Sequence, residues 1–203
     1  MKKAKPSTQA LAVLALLYEE PMHPYRMQQL IKERRKDEVI NVRYRASLYQ
    51  TIDRLERAGM IAVRETVKDD VQPERTIYEI TEAGREAAVS WLRTMLSTPA
   101  DEFPQFPAAL AYLPLLAPED ARLRLEQRLE ALERERERID EQLRNAPESI
   151  PRLFLVESEY IRAVLTAEID WVTALVEDLR SGRMTWDEEW LRSIAARFDP
   201  GDE

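Results

Sequence analysis

The stretch of sequence that decides the fold is ASLYQTIDRLERAGMIAVRET, residues 46–66. Leu48, Ile52 and Leu55 recur at positions i, i+4 and i+7, which places them on one face of an α-helix. Gly59 follows soon after, as the glycine of a helix C-terminal cap does. The next residues, 61–66, are rich in β-branched side chains, which favours a strand. The stretch therefore predicts a helix that passes through a tight turn into a strand.

Further elements are predicted on both sides of this stretch. An apolar stripe at helical spacing precedes it, and Ser7 or Thr8 can cap the start of that helix. A polar turn and a second β-branched segment follow it, and Thr81 can cap one more helix. The order of helix, helix, helix, hairpin and helix predicts a winged helix-turn-helix, whose third helix enters the DNA major groove. The predicted elements are helices at 7–20, 25–36, 46–58 and 82–96 and strands at 61–66 and 75–80.

The predicted third helix has a polar face opposite its apolar one. Ser47, Gln50 and Arg54 lie on that face, and such side chains hydrogen-bond to base edges or to phosphates. Tyr49 lies on its flank and can reach DNA through its hydroxyl, with a place in the core as the alternative. An ordinary solvated face is the alternative for the whole surface, and the acidic Asp53 and Glu56 reduce its positive charge.

Basic side chains stand before and after this helix in the sequence. Arg43 and Arg45 come immediately before it, where the backbone amides of a helix N-terminus bind anions. Lys68 and Arg75 lie on or beside the predicted wing, where phosphate contacts are expected. Tyr25 is a further candidate, with a partly buried core position as the alternative. The candidate DNA-binding residues are Lys5, Tyr25, Arg43, Arg45, Ser47, Tyr49, Gln50, Arg54, Lys68 and Arg75.

Charge is unevenly distributed along the chain. Residues 1–99 carry 17 Lys and Arg against 14 Asp and Glu, a balance of +3, whereas residues 100–203 carry 13 against 24, a balance of −11. The formal net charge is therefore −8, which argues against a uniformly basic nucleic-acid binder. Because electrostatic attraction in physiological salt acts over about 8 Å, a local basic face is sufficient to bind phosphates. The first half is thus the expected anion-binding part.

The second half of the chain is predicted to be helical and to dimerise. Three prolines mark residues 98–107 as a linker. A long helix at 118–144 carries a leucine-rich seam, and another at 152–181 carries an apolar stripe at 160–179 that is too wide for a coiled-coil seam alone. The two stripes indicate a homodimer, and an intramolecular helical hairpin that buries both is the alternative. Shorter helices are predicted at 108–116 and 186–198.

These patterns together predict a mainly α fold in two domains. A winged helix-turn-helix DNA-binding domain spans residues 1–97, a linker spans 98–107, and an all-helical dimerisation domain spans 108–203. The expected function is that of a DNA-binding regulator. A protein-interaction adaptor whose winged helix no longer binds DNA is the alternative, motivated by the acidic second half and by Asp53.

Three segments of the sequence resemble the PadR family of transcriptional regulators: HPYRMQQLI at 23–31, ASLYQTIDRLERAGMI at 46–61 and IYEITEAGREAAVSWL at 77–92. Proline replaces the family's glycine at Pro24. The layout of the second half is similar to that of longer PadR-like proteins, which dimerise through helices. The resemblance implies a homodimer on double-stranded DNA with a near-palindromic operator, usually as a repressor, and some members respond to phenolic acids or other small hydrophobic molecules.

A small aromatic effector is the remaining expected partner. Aromatic side chains that could line a cavity between the two domains include Trp91, Phe106, Tyr160 and Trp171. The alternative is that these side chains form the hinge and the dimer core.

Catalysis is not expected. The sequence contains no cysteine and one histidine, so a Cys-His pair is impossible and a Ser-His-Asp triad would have to use His23. There is no glycine-rich phosphate loop and no metal-ligand spacing, so we expect neither an enzyme nor a cofactor nor a metal site. The apolar run at 10–17 is interpreted as a core helix and not as a targeting segment. No stretch reaches the roughly 18 apolar residues of a membrane span, and a cytoplasmic location is expected.

Overall fold

A computed structural model describes residues 5–40, 45–67 and 75–198. The chain forms two compact units, 1–102 and 103–203. Their division at residue 102 falls within 98–107, and the assignment of that segment as a linker stays a prediction.

The N-terminal unit has the element order that the sequence predicts. Three of its helices begin at a side-chain cap, in which a side-chain atom accepts a hydrogen bond from a backbone amide. The Ser7 Oγ accepts from the Ala10 amide at 3.1 Å, and the His23 Nδ1 accepts from the Arg26 amide at 3.0 Å. The Thr81 Oγ1 accepts from the Gly84 amide at 3.1 Å. These elements are α1 (Thr8–Glu19), α2 (Pro24–Glu33), α3 (Arg45–Arg57), β1 (Ile61–Val67), β2 (Arg75–Ile80) and α4 (Glu82–Ser97).

One helix is shorter than the sequence predicts. α2 ends at Glu33 and not at residue 36, and Arg35 adopts a left-handed conformation with φ of 54° before a short 3-10 turn at Lys36–Glu38. Residues 32–35 are all exposed, so no buried side chain holds the backbone in helical geometry there.

β1 and β2 form an antiparallel hairpin with a register from Ile61 opposite Ile80 to Val67 opposite Arg75, interrupted by an irregularity between Val63 and Glu65. The connection between α1 and α2 adds a third line of pairing. The Met22 and Tyr78 backbones exchange two hydrogen bonds of 3.1 Å each. The start of α2 is thereby fixed against β2.

The core of the N-terminal unit lies between its helices and the base of the hairpin. Gly84 of α4 packs directly on the turn after α3, so that a Cβ at this position would lie 2.0 Å from the Met60 carbonyl oxygen. The core side chains include Val13, Leu14, Leu17, Met27, Ile31, Leu48, Ile52, Leu55, Ile61 and Trp91.

The C-terminal unit is built on a hairpin of two long helices. Cross-helix contacts pair Arg180 with Glu126, Arg162 with Asp140 and Gln142 with Ser158, so the two helices run antiparallel. The helices are α5 (Gln105–Ala111), α6 (Pro118–Arg144), α7 (Val156–Arg180) and α8 (Glu188–Phe198).

Several boundaries in this unit differ from the prediction: α5 ends at Ala111 and not at residue 116, α8 begins at Glu188 and not at residue 186, and two helix starts differ as well. α5 begins inside residues 98–107, because Pro107 falls in its first turn, where a missing amide hydrogen removes no helical bond. The stretch Arg152–Phe154 forms a 3-10 turn, so α7 starts at Val156.

Trp186 closes the end of the hairpin, where its Nε1 donates to the Leu116 carbonyl at 2.9 Å. Within the described ranges, no helix is long and apolar enough to cross a membrane.

Candidate nucleic-acid interface

α3 presents one face to the core and the opposite face to solvent. Leu48, Ile52 and Leu55 are at most 1% exposed, whereas Tyr49 is 49% exposed and Gln50 is also exposed. The buried residues hold the helix from behind, and the side chains that could contact DNA point outward. This is the arrangement that a helix needs to enter a groove.

The two flanks of the exposed face carry different charge. Arg54 is directed toward the N-terminus of α1, where its guanidinium donates to the Ser7 Oγ at 3.2 Å. On the other flank, burial raises the pKa of the Tyr78 hydroxyl on β2, and the nearby carboxylates of Glu56 and Asp53 raise it further. The acidic side chains of α3 therefore lie toward the hairpin, and Arg54 lies toward α1.

A polar contact between α1 and α3 was not foreseen from the sequence. The Gln9 Nε2 donates to the Ser47 Oγ at 3.0 Å, and the Thr51 Oγ1 donates to the Gln9 Oε1 at 2.8 Å. Thr51 is only 5% exposed. The sequence offers one signal for this contact: Thr51 lies three positions after Leu48 and four before Leu55, on the buried side of α3. A hydroxyl buried there requires a hydrogen-bond partner.

Two of the predicted DNA-binding residues, Tyr25 and Arg75, each lie near His23, which caps the start of α2. The half-exposed Tyr25 ring stacks on His23, with ring centroids 6.2 Å apart. Burial lowers the pKa of His23, and the positive charges of Arg75 and Arg26 lower it further, so Arg75 lies near the same histidine. Since the His23 Nδ1 accepts the capping bond, it is unprotonated at that nitrogen. The bridge between Met22 and Tyr78 explains how β2 comes to lie beside α2.

The remaining predicted DNA-binding residues are only partly described. Lys5 is exposed and lies two residues before Ser7, whose hydroxyl accepts from Arg54. Arg45 opens α3, but its side chain is outside the described part, and Arg43 and Lys68 lie outside the described residues altogether.

The predicted effector-binding residues are only partly brought together. The Phe106 and Trp171 rings meet edge to face with centroids 6.3 Å apart, and the Arg128 guanidinium carbon lies 3.6 Å from the Phe106 ring centroid. Tyr160 is 70% exposed and lies eleven positions before Trp171 on α7, about 16 Å along the axis at a rise of about 1.5 Å per residue. Trp91 belongs to the other unit, where it is a core residue.

Each unit contains an apolar cavity. In the C-terminal unit, a cavity of about 240 Å³ lies beside Phe106. Its wall includes Leu110, Tyr112, Leu116, Leu125 and Arg128. In the N-terminal unit, a cavity of about 410 Å³ lies between α1 and α2, with aliphatic side chains of both helices in its wall. In the part of the chain that the structure describes, no cluster of three or more His, Asp or Glu side chains is placed to hold a metal ion.

One protein-family profile matches part of the chain. The profile described as "Transcriptional regulator PadR-like family" matches residues 13–89. None of the curated proteins matches the sequence.

Solved structures extend the likeness in fold to the second unit. Bacillus subtilis PadR in complex with operator DNA has a TM-score of 0.68 at 15% sequence identity, over 85% of this chain and 99% of that one. The same protein in complex with p-coumaric acid also scores 0.68, at 14% identity over 86% and 99%. The Vibrio cholerae virulence activator AphA scores 0.65 at 18% identity, again over 86% and 99%.

These likenesses, at low identity, confirm the predicted mainly α, winged-helix fold. Residues 13–89 thus match the PadR-like family of transcriptional regulators, a family of regulators and not of enzymes, and the chain shares the fold of solved PadR structures along most of its length.

Proposed function

We propose that the chain is a sequence-specific DNA-binding regulator that occupies a near-palindromic operator as a homodimer and acts as a repressor. The observation that carries this proposal is the solvent-facing side of α3 beside the β1–β2 hairpin, backed by a fully buried apolar face. The fold shared with Bacillus subtilis PadR, which was crystallised with operator DNA, supports it. A regulator of this kind works where the chromosome is, in the cytoplasm.

Different side chains have different parts in this proposal. Gln50 lies near the centre of the exposed face of α3 and is assigned to base edges, since its amide offers both a donor and an acceptor. Tyr49 and Arg54 on the flanks, with Ser47 beside Arg54, are assigned to bases or phosphates. Lys5, Tyr25, Arg43, Arg45, Lys68 and Arg75 are assigned to the backbone, where contacts fix the orientation but carry no sequence information.

Selection of a bound duplex from a random library tests this proposal. The full chain should enrich one sequence with two related half-sites, and the logarithm of its affinity should fall linearly with the logarithm of salt concentration. Gln50→Ala should weaken binding to that duplex by 1–3 kcal/mol, about the value of one bidentate base contact. Gln127→Ala, at an exposed glutamine on α6, is the matched control and should bind as the parent chain does.

The homodimer is proposed on a second face of α7. Packing against α6 buries Ile169, Val172 and Val176, so part of the predicted apolar stripe of α7 is already covered by α6 of the same chain. Tyr160 and Trp171, on the opposite face of the helix, remain 70% and 50% exposed. The exposed members of that face also include Val156, Ala163, Val164, Ala167 and Ala174.

An apolar surface of that length, with alanines that permit close approach of a second helix, is proposed to be covered by a second copy. An intramolecular hairpin alone leaves it in water. Sedimentation of the full chain should give the mass of a dimer, and Ala167→Glu should shift it to the monomer. Ala195→Glu, on the exposed side of α8, should leave the dimer intact. A monomer in the parent chain at micromolar concentration would refute the proposal.

A small aromatic acid is proposed as the effector that releases DNA. The Phe106–Trp171 pair and the adjacent 240 Å³ cavity supply aromatic and aliphatic walls, and Arg128, whose guanidinium is paired with Glu168, supplies donors that a ligand carboxylate would share with that glutamate. p-Coumaric acid, which was crystallised with Bacillus subtilis PadR, is the first compound to test. It should raise the melting temperature of the parent chain and release the selected duplex. Phe106→Ala should abolish both effects, and Phe103→Ala, at an exposed phenylalanine of the same unit, should not.

A protein-interaction adaptor is the second candidate. The carboxylates of Asp53 and Glu56 on α3 favour it, because they repel phosphates. If the library yields no enriched duplex at low salt, the adaptor is the better description.

A further inference from the structure

We infer that Gln9 is a positioning residue for DNA recognition: its side-chain amide fixes the rotation and the register of α3 against α1. The inference rests on the proposed function, because it concerns how the proposed recognition helix is held. Gln9 is on α1, 38 residues before Ser47 and 42 before Thr51.

The two ends of the Gln9 amide are used on two successive turns of α3. The nitrogen donates to Ser47 and the oxygen accepts from Thr51, which lie at positions i and i+4 and therefore on one side of the helix. The two attachment points are about 6 Å apart along the axis of α3, at a rise of about 1.5 Å per residue. Attachment at one point would leave the helix free to pivot, whereas two points along the axis oppose both rotation and sliding.

A third contact extends this line of attachment. Arg54, seven positions after Ser47, donates to the Ser7 Oγ at 3.2 Å, and the same oxygen caps α1. Positions 47, 51 and 54 form one ridge along the side of α3. The N-terminus of α1 thus meets α3 along a ridge that borders the exposed face, about a quarter-turn away from Gln50.

The apolar packing beneath α3 cannot set its rotation as closely. Leu48, Ile52 and Leu55 pack on α1 side chains, but hydrophobic contact is non-directional and tolerates small rotations. Hydrogen bonds weaken steeply as their angles depart from linearity. Productive recognition requires side chains held within about 0.5 Å and 10–20°. The directional contacts of Gln9 are therefore what converts a buried helix into one with a defined orientation toward DNA.

Thr51 allows the inference to be tested without touching the proposed DNA surface. Its side chain is 5% exposed and cannot contact a duplex, so any effect of Thr51→Val on recognition acts through the position of α3. Gln9→Met keeps the length of the side chain and removes both hydrogen bonds. The double variant Gln9→Met, Thr51→Val closes a cycle that isolates the contact between the two residues.

The experiment measures the affinity of each full-length variant for the duplex that the parent chain selects from a random library, and for a scrambled duplex of equal length. Gln9→Met should lower affinity for the selected duplex about tenfold, the equivalent of one to two hydrogen bonds. Affinity for the scrambled duplex and the salt slope should stay unchanged, because the phosphate contacts are kept. Thr51→Val should show a smaller loss in the same direction, and the double variant should lose no more than Gln9→Met alone. Gln127→Met, on α6, is the matched control.

The possible results separate this inference from the proposed function. Equal losses on both duplexes would mean that Gln9 only stabilises the unit, and would overturn the inference. An unchanged preference in both single variants would overturn it as well. If Gln9→Met does not fold, the result of Thr51→Val decides alone. If the parent chain selects no duplex, the proposed function fails, and the inference fails with it.

Discussion

Gly84→Ala should destabilise the N-terminal unit, although alanine is the better helix former. Gly84 lies in the first turn of α4, and replacing a helical glycine by alanine ordinarily gains up to about 1 kcal/mol. Here an added Cβ would lie 2.0 Å from the Met60 carbonyl oxygen and 2.8 Å from the Ile80 Cγ1. Met60 contributes backbone atoms that no side-chain rotation can move, so the start of α4 must move away from the turn after α3.

The contacts that this movement disrupts set the size of the effect. Thr81 donates through Oγ1 to the Gly59 carbonyl at 2.7 Å and through its amide to the Met60 carbonyl at 3.1 Å, and its hydroxyl caps Gly84. A cap and two hydrogen bonds are worth about 1 kcal/mol each. After the gain in helix propensity, the net loss is about 2 kcal/mol.

Urea unfolding of the full chain measures this loss, and hydrogen exchange of peptides from residues 1–102 assigns it to the N-terminal unit. Gly182→Ala is the matched control: Gly182 has φ of +72° and no atom within 4 Å of an added Cβ. Gly182→Ala should lower the free energy of unfolding by about 1–2 kcal/mol through backbone strain alone. Its faster hydrogen exchange should be confined to peptides from residues 103–203. An unchanged or increased stability of Gly84→Ala would refute the steric argument.

Two further predictions concern stability in the two units. The folded-state pKa of His23 is lowered, so this histidine takes up a proton more readily in the unfolded chain. The N-terminal unit should therefore keep its full stability above about pH 6.5. It should lose part of that stability as the pH falls toward the folded-state pKa of His23. His23→Asn keeps a cap but does not titrate, so urea unfolding between pH 5 and 8 should show a weaker slope; an identical slope would assign the dependence to other groups. Ile139→Ala, at a position 1% exposed on α6, should cost about 2–5 kcal/mol, whereas Leu123→Ala, at a position 42% exposed, should cost under about 1 kcal/mol. Similar losses in these two variants would contradict the assignment of Ile139 to the interior.

The local elements of the N-terminal unit follow from short-range signals. The spacing of Leu48, Ile52 and Leu55 and the caps at Ser7 and Thr81 act within one or two helical turns, and the structure has the predicted helices within three residues of their expected ends. The start of α5 lies inside the predicted linker, because its prolines indicate a loop by composition, whereas Pro107 is tolerated in the first turn of a helix.

Contacts between distant parts of the chain could not be predicted in the same way. The sequence shows Gln9 as one polar residue in an apolar helix, and only the packing of α1 on α3 gives its amide two partners. Likewise, the stripe on α7 was evident, but its division into a face that packs on α6 and a face left exposed depends on how α6 turns against it. Periodicity shows which residues are apolar and does not show which neighbour covers them.

The separation of charge on α3 changes the meaning of its acidic residues. From the sequence, Asp53 and Glu56 only reduce the positive charge of the helix. In the structure they lie toward β2, where they add to the effect of burial in raising the pKa of Tyr78, whereas Arg54 lies toward Ser7 at the start of α1. In the proposed complex, phosphates line both sides of the groove, so one flank of α3 attracts the backbone and the other repels it. Repulsion between like charges disfavours wrong orientations more than it weakens the right one. A chain with a net charge of −8 can therefore bind DNA in one orientation through α3, because opposite charges occupy separate flanks of the same helix.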